Sequence, residues 1–202
     1  MTFECGLPIG PLHLDGRFRK HAFSRLRRGL PVPVEELLAT APPSAEEARA
    51  TLTLMARRGM AEVRDDVLVA IDGLSVVPTR HRLRSQGVEL FTWCAADAVG
   101  IPAALGEDAE VLTSCPSCGA LLHITVVNGK PRSDLAAVLW LPLQECSHVM
   151  TEFCPDVNLF CDEAHLQGWL QEEGAGVRGS VLSIEETAAL GEKWWSHLTS
   201  TG

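Results

Sequence analysis

Cys94 and Asp97 lie three residues apart and are of types that can carry out thiol chemistry together. They stand in the segment LFTWCAADAVGIPAAL, which is apolar on nearly all sides, so we expect a core helix from Glu89 to about Ala104. Residues at this spacing share one face of a helix. Burial raises the pKa of a carboxyl group, and Asp97 would then accept a proton from the neighbouring thiol near neutral pH.

A buried carboxylate without a partner is costly, so Asp97 must be paired, neutralised or directed into a cavity. The spacing alone leaves a structural role open. In that role Asp97 binds only a backbone amide or a basic residue such as Arg80 or Arg82. The thiol and the basic side chains are therefore competing explanations of the same carboxylate.

A second thiol motif is Cys115-Pro-Ser-Cys118-Gly, a CxxC segment of the kind that begins a zinc site. A structural zinc would need two further ligands, and the sequence has no second CxxC. The residues that could complete the site are Cys154, Cys161, His123 and His148. A reversible disulfide or two unlinked thiols fit the same motif equally well.

The chain has seven cysteines, and their odd number indicates free thiols for metal binding or chemistry instead of a disulfide framework. Cys154 precedes Pro155 at the start of a predicted strand, Phe153–Phe160, and taken singly it is interpreted as a packing residue. Cys146 and Cys161 are predicted to be small buried hydrophobic residues. Cys5 is assigned to an irregular terminus.

Composition limits the class of protein. The 202 residues are 46% hydrophobic, which is enough for a core, and the net charge of −9 argues against nucleic acid or an anionic membrane as a partner. No apolar run reaches 18 residues, so we expect no membrane span. The first residues include Glu4 and lack a basic region, which predicts no signal peptide and a cytoplasmic protein.

The predicted fold is α+β, with a winged-helix-like three-helix domain at residues 19–78 after an irregular N-terminus at 1–18. Its three helices are predicted at His21–Arg28, Val34–Leu38 and from Ser44 onward, where Ser44 and Glu47 form a capping box. A hairpin, Met60–Val63 with Val67–Ile71, follows them. Residues 1–60 carry nine Lys/Arg against six Asp/Glu, a small excess that favours a structural or dimerising role over DNA binding.

Residues 79–202 are predicted to form an α+β domain with a mainly antiparallel sheet. The predicted strands are Ala109–Ser114, Ala120–Val127, Ala136–Leu141, Phe153–Phe160 and Val177–Ser183. Asn128-Gly129 predicts a tight turn after the second of them. Helices are predicted around Glu163–Gln171 and at Ile184–Leu198.

The segment LFTWCAADAVGIPAALGEDAEVLTSC resembles the core of the alkylmercury (organomercurial) lyases. That family has a Trp-Cys pair, an Asp three residues later, a Pro-Ala-Leu-x-Gly stretch and a strand ending in Cys. Phe153-Cys154 with the later Val157-Asn158-Leu159-Phe160 is similar to the family's second cysteine segment. The segments LRRGLPVPVEELL, DEAHLQGWL and VLSIEETAALGEKWW also fit, so the resemblance covers about residues 20–200. Pro155, where the family often has a cysteine, and Cys118 depart from its pattern.

The resemblance implies that Cys94, Asp97 and Cys154 are the catalytic residues of carbon–mercury bond protonolysis and also hold the mercury. Cys115 matches a family cysteine thought to be structural, and Cys115 and Cys118 remain additional candidate thiols. The implied substrate is an organomercurial, and the implied products are a hydrocarbon and Hg(II). The implied partners are small thiols that remove the product and a mercuric reductase that receives it. No organic cofactor is expected.

Two other classes of function stay open at this point. A metal-responsive regulator would combine the winged helix with a cysteine-rich sensor domain. A binding module would hold zinc or copper on Cys115 and Cys118 without turnover. The discriminating residue is Asp97, because a sensor or carrier of soft metal needs thiols but no buried acid. The sequence does not rank alkyl against aryl substrates, decide which cysteine attacks first or define the oligomeric state.

Overall fold

The computed structural model of the chain describes residues 3–4, 16–39, 44–132, 135–172 and 177–199. The predictions for Cys5 and for most of residues 1–18 lie outside these ranges, although Phe3–Glu4 is a strand and a helix begins at Gly16. Among the described residues, no helix combines the length and the apolar character that crossing a bilayer requires.

Helices separate runs of consecutive antiparallel strands along the chain, which is an α+β arrangement. The helices are α1 (Gly16–Leu26), α2 (Val34–Ala39), α3 (Ala45–Arg57), α4 (Ala95–Leu105), α5 (Glu163–Glu172), α6 (Ile184–Trp194) and α7 (Ser196–Thr199). The strands before α4 are β1 (Phe3–Glu4), β2 (Val32–Pro33), β3 (Ala61–Arg64), β4 (Val67–Ile71), β5 (Leu74–Ser75), β6 (His81–Ser85) and β7 (Val88–Thr92). The strands after α4 are β8 (Ala109–Ser114), β9 (Leu121–Val127), β10 (Lys130–Arg132), β11 (Val138–Pro142), β12 (Glu145–Cys146), β13 (Asn158–Phe160) and β14 (Gly179–Ser183).

The described strands form three sheets, and every pairing is antiparallel. The largest has nine strands in the order β10-β9-β8-β6-β7-β5-β4-β2, with β3 paired to β4. It continues without a break across the predicted domain boundary at residues 78–79, from β5 to β7. The smaller sheets are β13-β11-β14 and β1-β12. The predicted α+β class with an antiparallel sheet is therefore confirmed.

Local sequence signals account for much of the N-terminal half. Helix α3 begins where predicted, because the Ser44 hydroxyl accepts a hydrogen bond from the Glu47 backbone N–H at 3.2 Å. Its buried face consists of Ala48, Leu52 and Met55. The hairpin of β3 and β4 is also confirmed.

The predicted helix from Glu89 to Ala104 is wrong in its first third. Residues Val88–Thr92 form strand β7, which pairs along its whole length with β6, a strand that was not predicted. The cause is the turn at Gln86 and Gly87, which both have positive φ (51° and 78°) and so reverse the chain into a hairpin. The helix begins only at Ala95, which makes Cys94 its N-cap residue and not an interior one.

The predicted strand Phe153–Phe160 is also largely wrong. Val149–Phe153 is a π-helical turn and Cys154–Asp156 a 3-10 turn, and only Asn158–Phe160 is extended. Proline at the second position of the 3-10 turn is compatible with helical backbone, because the first turn of a helix leaves its N–H groups unpaired in any case. Asn128-Gly129 is the predicted tight turn, but it leads into β10, another unpredicted strand.

Helix α4 lies at the centre of the core, with nine consecutive residues, Ala95–Ala103, buried. It packs against α6 at Gly100 and Gly191. A Cβ atom added at Gly191 would lie 2.2 Å from the Gly100 Cα, so the two backbones approach closely only because both residues lack a side chain. This close crossing fixes the position of α4, whose N-terminus carries Cys94 and Asp97.

Candidate active site

Cys94 and Asp97 occupy the first turn of α4. The backbone N–H of Cys94, the N-cap residue, donates at 3.0 Å to Oδ2 of Asp97, the third residue of the helix, as in a capping box. The hydroxyl of Thr92, which is fully buried, donates to the Cys94 carbonyl at 2.9 Å. The two predicted residues are therefore neighbours because of a helix cap, not because they share an interior helix face.

Cys154 is brought to the same place by the turns that follow β12. The Val157 N–H donates to the Cys154 carbonyl, and the Val157 carbonyl accepts from the Ala95 N–H, both at 3.2 Å. The 3-10 turn is thus bonded to the start of α4. The sulfur atoms of Cys94 and Cys154 and a carboxylate oxygen of Asp97 all lie within 4.8 Å of one another. The three residues of the predicted catalytic set form one cluster, which we call the buried cluster.

Burial decides the electrostatics of this cluster. Cys94, Cys154 and Asp97 are 1%, 2% and 6% exposed. Burial raises the pKa of Asp97 to about 7, although hydrogen bonds from the Cys94 thiol and from the backbone N–H groups of Cys94 and Trp93 oppose the rise. At neutral pH the carboxyl group therefore exists in both its protonated and its ionised form.

The two thiols keep their protons in the absence of a metal. Burial raises the pKa of Cys94 well above its usual range, and the nearby Cys154 and Asp97 raise it further. The hydrogen bond from Cys94 lowers the pKa of Cys154, but burial and the charge of Asp97 outweigh it, so that this pKa is also raised. A negative charge on either sulfur would thus need a bound cation to stabilise it.

The Asp72–Gly73 turn packs against the Asp97 carboxylate, a contact that was not predicted from the sequence. Gly73 has φ +88°, and a Cβ atom there would lie 2.5 Å from Cγ of Asp97. The Gly73 carbonyl accepts from the Trp93 N–H at 3.0 Å, and the Asp72 carbonyl accepts from the Trp195 indole at 2.8 Å. Asp-Gly is a turn signal in any sequence, but its contact with Asp97 depends on tertiary structure.

The basic residues considered as partners of Asp97 are engaged elsewhere. Arg80 donates to the side chain of Asn158, and Arg82 forms an ion pair with Glu89. Arg19 of α1 instead pairs with Asp72, whose pKa is lowered because this ion pair and His197 outweigh the effect of burial. The backbone amide considered as a partner is present, in the form of the Cys94 N–H.

The CxxC motif belongs to a second group of thiols, which we call the surface cluster. The sulfur atoms of Cys115, Cys118 and Cys161 lie within 4.8 Å of one another, and those of Cys118 and Cys161 are 3.6 Å apart. Cys115 is buried, Cys161 is half-buried and Cys118 is exposed. The prediction of Cys161 as a buried packing residue is therefore wrong.

The loop after Cys115 directs backbone N–H groups at its sulfur. Burial raises the pKa of Cys115, but hydrogen bonds from the N–H groups of Cys161, Cys118 and Ser117 outweigh this effect, and the pKa is lowered. The Gly119 N–H also closes the loop on the Cys115 carbonyl at 2.8 Å. Of the ligands considered for the motif, Cys161 joins it and Cys154 belongs to the buried cluster.

The two histidines considered for the motif have other partners. His123 lies against Glu110, and His148 against Thr151. Cys146 is buried as predicted, but it is disulfide-bonded, which the expectation of free thiols did not include.

Comparison with known proteins agrees with the geometry. The family model described as MerB, alkylmercury lyase, matches residues 74–196, which is more than half of the chain and includes both clusters. The chain belongs to the alkylmercury lyase family. The match begins at Leu74, next to Gly73, and includes the whole of helices α4, α5 and α6.

Relatives named alkylmercury lyase come from several bacteria. The protein of Staphylococcus epidermidis is 28% identical over all of this chain and 90% of its own length. The Streptomyces lividans protein is 28% identical, and the match covers 82% of this chain and 76% of the relative. A solved structure, the mercury-bound form of MerB2, has a TM-score of 0.85 at 23% identity and covers 96% of this chain and 95% of its own. This structural likeness shows that the fold is shared.

Proposed function

We propose that this chain is an alkylmercury lyase that cleaves the carbon–mercury bond of organomercurials by protonolysis, with Cys94, Asp97 and Cys154 as the reacting residues. The observation that carries the proposal is a carboxyl group within 4.8 Å of two thiols in a buried cluster. Family membership indicates the reaction. The cluster supplies each chemical group that the reaction needs.

The thiols suit the substrate because mercury is a soft cation that selects sulfur over oxygen and nitrogen. Either Cys94 or Cys154 first binds R–Hg⁺ as a thiolate and releases its proton. The second cysteine then binds the same mercury and passes its proton to Asp97. In the metal-free cluster this transfer is uphill, because both thiol pKa values are raised and that of Asp97 is about 7. Mercury binding stabilises the thiolate and makes the transfer favourable.

The proton on Asp97 then completes the reaction. Two thiolates donate electron density to the mercury and weaken its bond to carbon. Asp97 gives its proton to the carbon as that bond breaks, which releases R–H and leaves Hg(II) on the thiolate pair. The carboxylate is regenerated, so protons and charge balance over the cycle.

The surroundings favour proton transfer to carbon over side reactions. Apart from the reacting residues, the neighbours of the cluster on α4 are apolar, and the cluster is almost closed to water. Such a site accommodates methyl, alkyl or phenyl groups. Each step uses a proton or a thiolate of this chain, so the mechanism calls for no organic cofactor.

Several wider features complete the proposal. We expect small thiols to take up Hg(II) from the protein and a mercuric reductase to receive it, within a cytoplasmic mercury-detoxification pathway.

The three helices α1 to α3 with the β3–β4 hairpin support a winged-helix-like N-terminal domain at residues 19–78. The net charge of −9 on the whole chain and the small basic excess in residues 1–60 argue against nucleic acid as a partner. A regulator or a metal carrier would need the Asp97 side chain only as the cap of α4, a role that an asparagine could fill, and would not need an acid beside the thiols.

The test is direct measurement of the hydrocarbon. Phenylmercury is incubated with the protein and an excess of a small thiol, and benzene is measured by gas chromatography. The wild-type protein is expected to release benzene over many turnovers. The Cys94→Ala variant serves as the matched control, and wild-type protein that releases no more benzene than this variant would overturn the proposal.

A further inference from the structure

The arrangement of the three thiols in the surface cluster could hold a metal ion, and the proposed reaction does not use this cluster. Its three sulfur atoms come from two separate parts of the chain, the CxxC loop and the residue that follows β13. Cys161 is 43 positions from Cys118 in the sequence, so local geometry does not account for the 3.6 Å between their sulfur atoms. The tertiary fold therefore assembles this group.

We propose that Cys115, Cys118 and Cys161 form a three-sulfur binding site for a soft divalent cation, and that its occupant during turnover is the Hg(II) released from the buried cluster. The identity of the ion rests on the proposed function. The existence of the site rests on the geometry alone.

The ligand set selects a soft ion. All three donors are sulfur, and within the described residues no histidine or carboxylate oxygen joins the group. A structural zinc site normally has four protein ligands in a tetrahedron, one more than this group provides. Mercuric ion, in contrast, readily accepts two or three sulfur ligands. The N–H groups of Ser117, Cys118 and Cys161 that point at the Cys115 sulfur add favourable partial charges for a bound thiolate.

The site is also accessible, unlike the buried cluster. Cys118 is exposed and Cys161 half-buried, so solvent thiols or a partner protein can reach an ion held there. The protein would thus hold the product first in the core and then at a surface from which it can be removed.

One cleft borders chain segments that carry cysteines of both clusters. A polar cleft of about 270 Å³ is lined by Pro116 and Ser117 of the CxxC loop and by Asp156 of the turn that carries Cys154, together with Trp169 and Glu172. Cys154 and Cys161 are also joined by a segment of seven residues, which can span at most about 25 Å. The same cleft therefore borders the loops that hold both groups of thiols.

The transfer is a thiol exchange that needs no oxidant or reductant. The two bonds from mercury to Cys94 and Cys154 break, and three bonds to the surface cysteines form. Two of the three protons lost by the surface thiols go to Cys94 and Cys154, and the third goes to solvent. The product is an Hg(SR)₃⁻ group, and the charge balances.

The experiment loads the whole protein with mercuric chloride, without any organomercurial, so its outcome does not depend on carbon–mercury cleavage. Excess metal is removed by gel filtration, mercury per chain is measured, and X-ray absorption gives the number of sulfur ligands. The Cys94→Ser/Cys154→Ser variant isolates the surface cluster. The Cys118→Ser variant, which changes an exposed residue and leaves the buried cluster intact, is the matched counterpart.

The expected results differ between the variants. Wild-type protein should retain about two mercury ions per chain, and each variant about one. The ion in Cys94→Ser/Cys154→Ser should have three sulfur ligands. The ion in Cys118→Ser should have two. The proposal is overturned if Cys94→Ser/Cys154→Ser retains no mercury or binds it with two sulfurs, if Cys118→Ser retains as much as the wild type, or if purified protein holds stoichiometric zinc that Hg(II) does not displace.

Discussion

The two thiol clusters of this protein have nearly the same donor atoms and opposite surroundings. The buried cluster has two thiols and a carboxyl group, none of them more than 6% exposed. The surface cluster has three thiols, one of which is exposed. In the first, desolvation raises the pKa of the carboxyl group to about 7. In the second, hydrogen bonds from backbone N–H groups lower the pKa of Cys115, whereas burial and the neighbouring thiols raise the pKa of Cys161 to about 12.

This contrast separates bond cleavage from metal binding. Thiols alone suffice to hold a soft cation, but breaking a carbon–metal bond also needs a proton delivered to carbon. A carboxyl group supplies that proton at neutral pH only where its pKa has been raised. In the proposed mechanism, the position of Asp97 in the core, and not the number of cysteines, is therefore what distinguishes the buried cluster from the surface cluster.

The largest expected effect comes from removing the acid of the buried cluster, so that this cluster, like the surface cluster, has no carboxyl group to donate a proton. Asp97→Asn keeps an oxygen that accepts the Cys94 N–H but cannot transfer a proton. Benzene release from phenylmercury should fall by about 10²–10⁴-fold, while mercury retention stays close to that of the wild type. Asp66→Asn, at an exposed turn, is the control and should match the wild type. Undiminished benzene release by Asp97→Asn would show that Asp97 is not the proton donor.

The pH dependence of stability should reveal the same carboxyl group. Its pKa of about 7 in the folded state exceeds the ordinary value of 3.8, so between these values the folded protein binds a proton that the unfolded chain has lost. Wild-type stability should therefore decrease, relative to Asp97→Asn, by up to about 4 kcal/mol as the pH rises from 4 to 7 and then level off. Urea unfolding of both proteins across this range measures the difference. A constant difference would mean that burial does not raise this pKa.

A substitution at Gly73 tests whether activity depends on the exact position of the Asp97 carboxylate. Gly73→Ala places a Cβ atom against Asp97 and strains a backbone with φ +88°, so benzene release should fall by about 10²-fold. Gly87→Ala is the matched control, because Gly87 has φ +78° but no described heavy atom within 4 Å of the added Cβ. Similar losses of activity in the two variants would point to backbone strain and not to displacement of Asp97.

The smallest effect is expected at the surface cluster. Cys118→Ser changes an exposed side chain, so the free energy of unfolding in the absence of metal should stay within about 0.5 kcal/mol of the wild type. Chemical denaturation under reducing conditions measures it. A loss well above this value would show that the surface cluster stabilises the fold and is not only a binding site.

The sequence predicted those features that depend on local signals. Ser44 capping α3, the β3–β4 hairpin and the Asn128-Gly129 turn follow from residue preferences at single positions, and the structure has all three. The resemblance to alkylmercury lyases identified Cys94, Asp97 and Cys154 as catalytic candidates, and the fold places these three residues in one cluster. Their roles stay a prediction until variants are measured.

The errors occurred where tertiary structure overrides local pattern. Residues 88–92 are apolar enough for a core helix, but the Gln86–Gly87 turn pairs them with β6. The segment around Cys154 has the composition of a strand, yet its backbone folds into helical turns bonded to α4. Spacing gave no sign of Gly73 beside Asp97, and it could not choose Cys161 among the four candidates for the CxxC site, since both contacts join distant parts of the chain.

The helix cap formed by Asp97 has a consequence for how such genes diverge. The carboxylate caps α4 and, in the proposed mechanism, also carries the proton, so a codon change to asparagine would remove the second role and spare the first. A lineage with that change would inherit a well-folded chain that captures mercury and keeps it. Overall similarity would not distinguish this sequestering descendant from a detoxifying one. The residue at position 97 would distinguish the two, and it can be read directly from the gene.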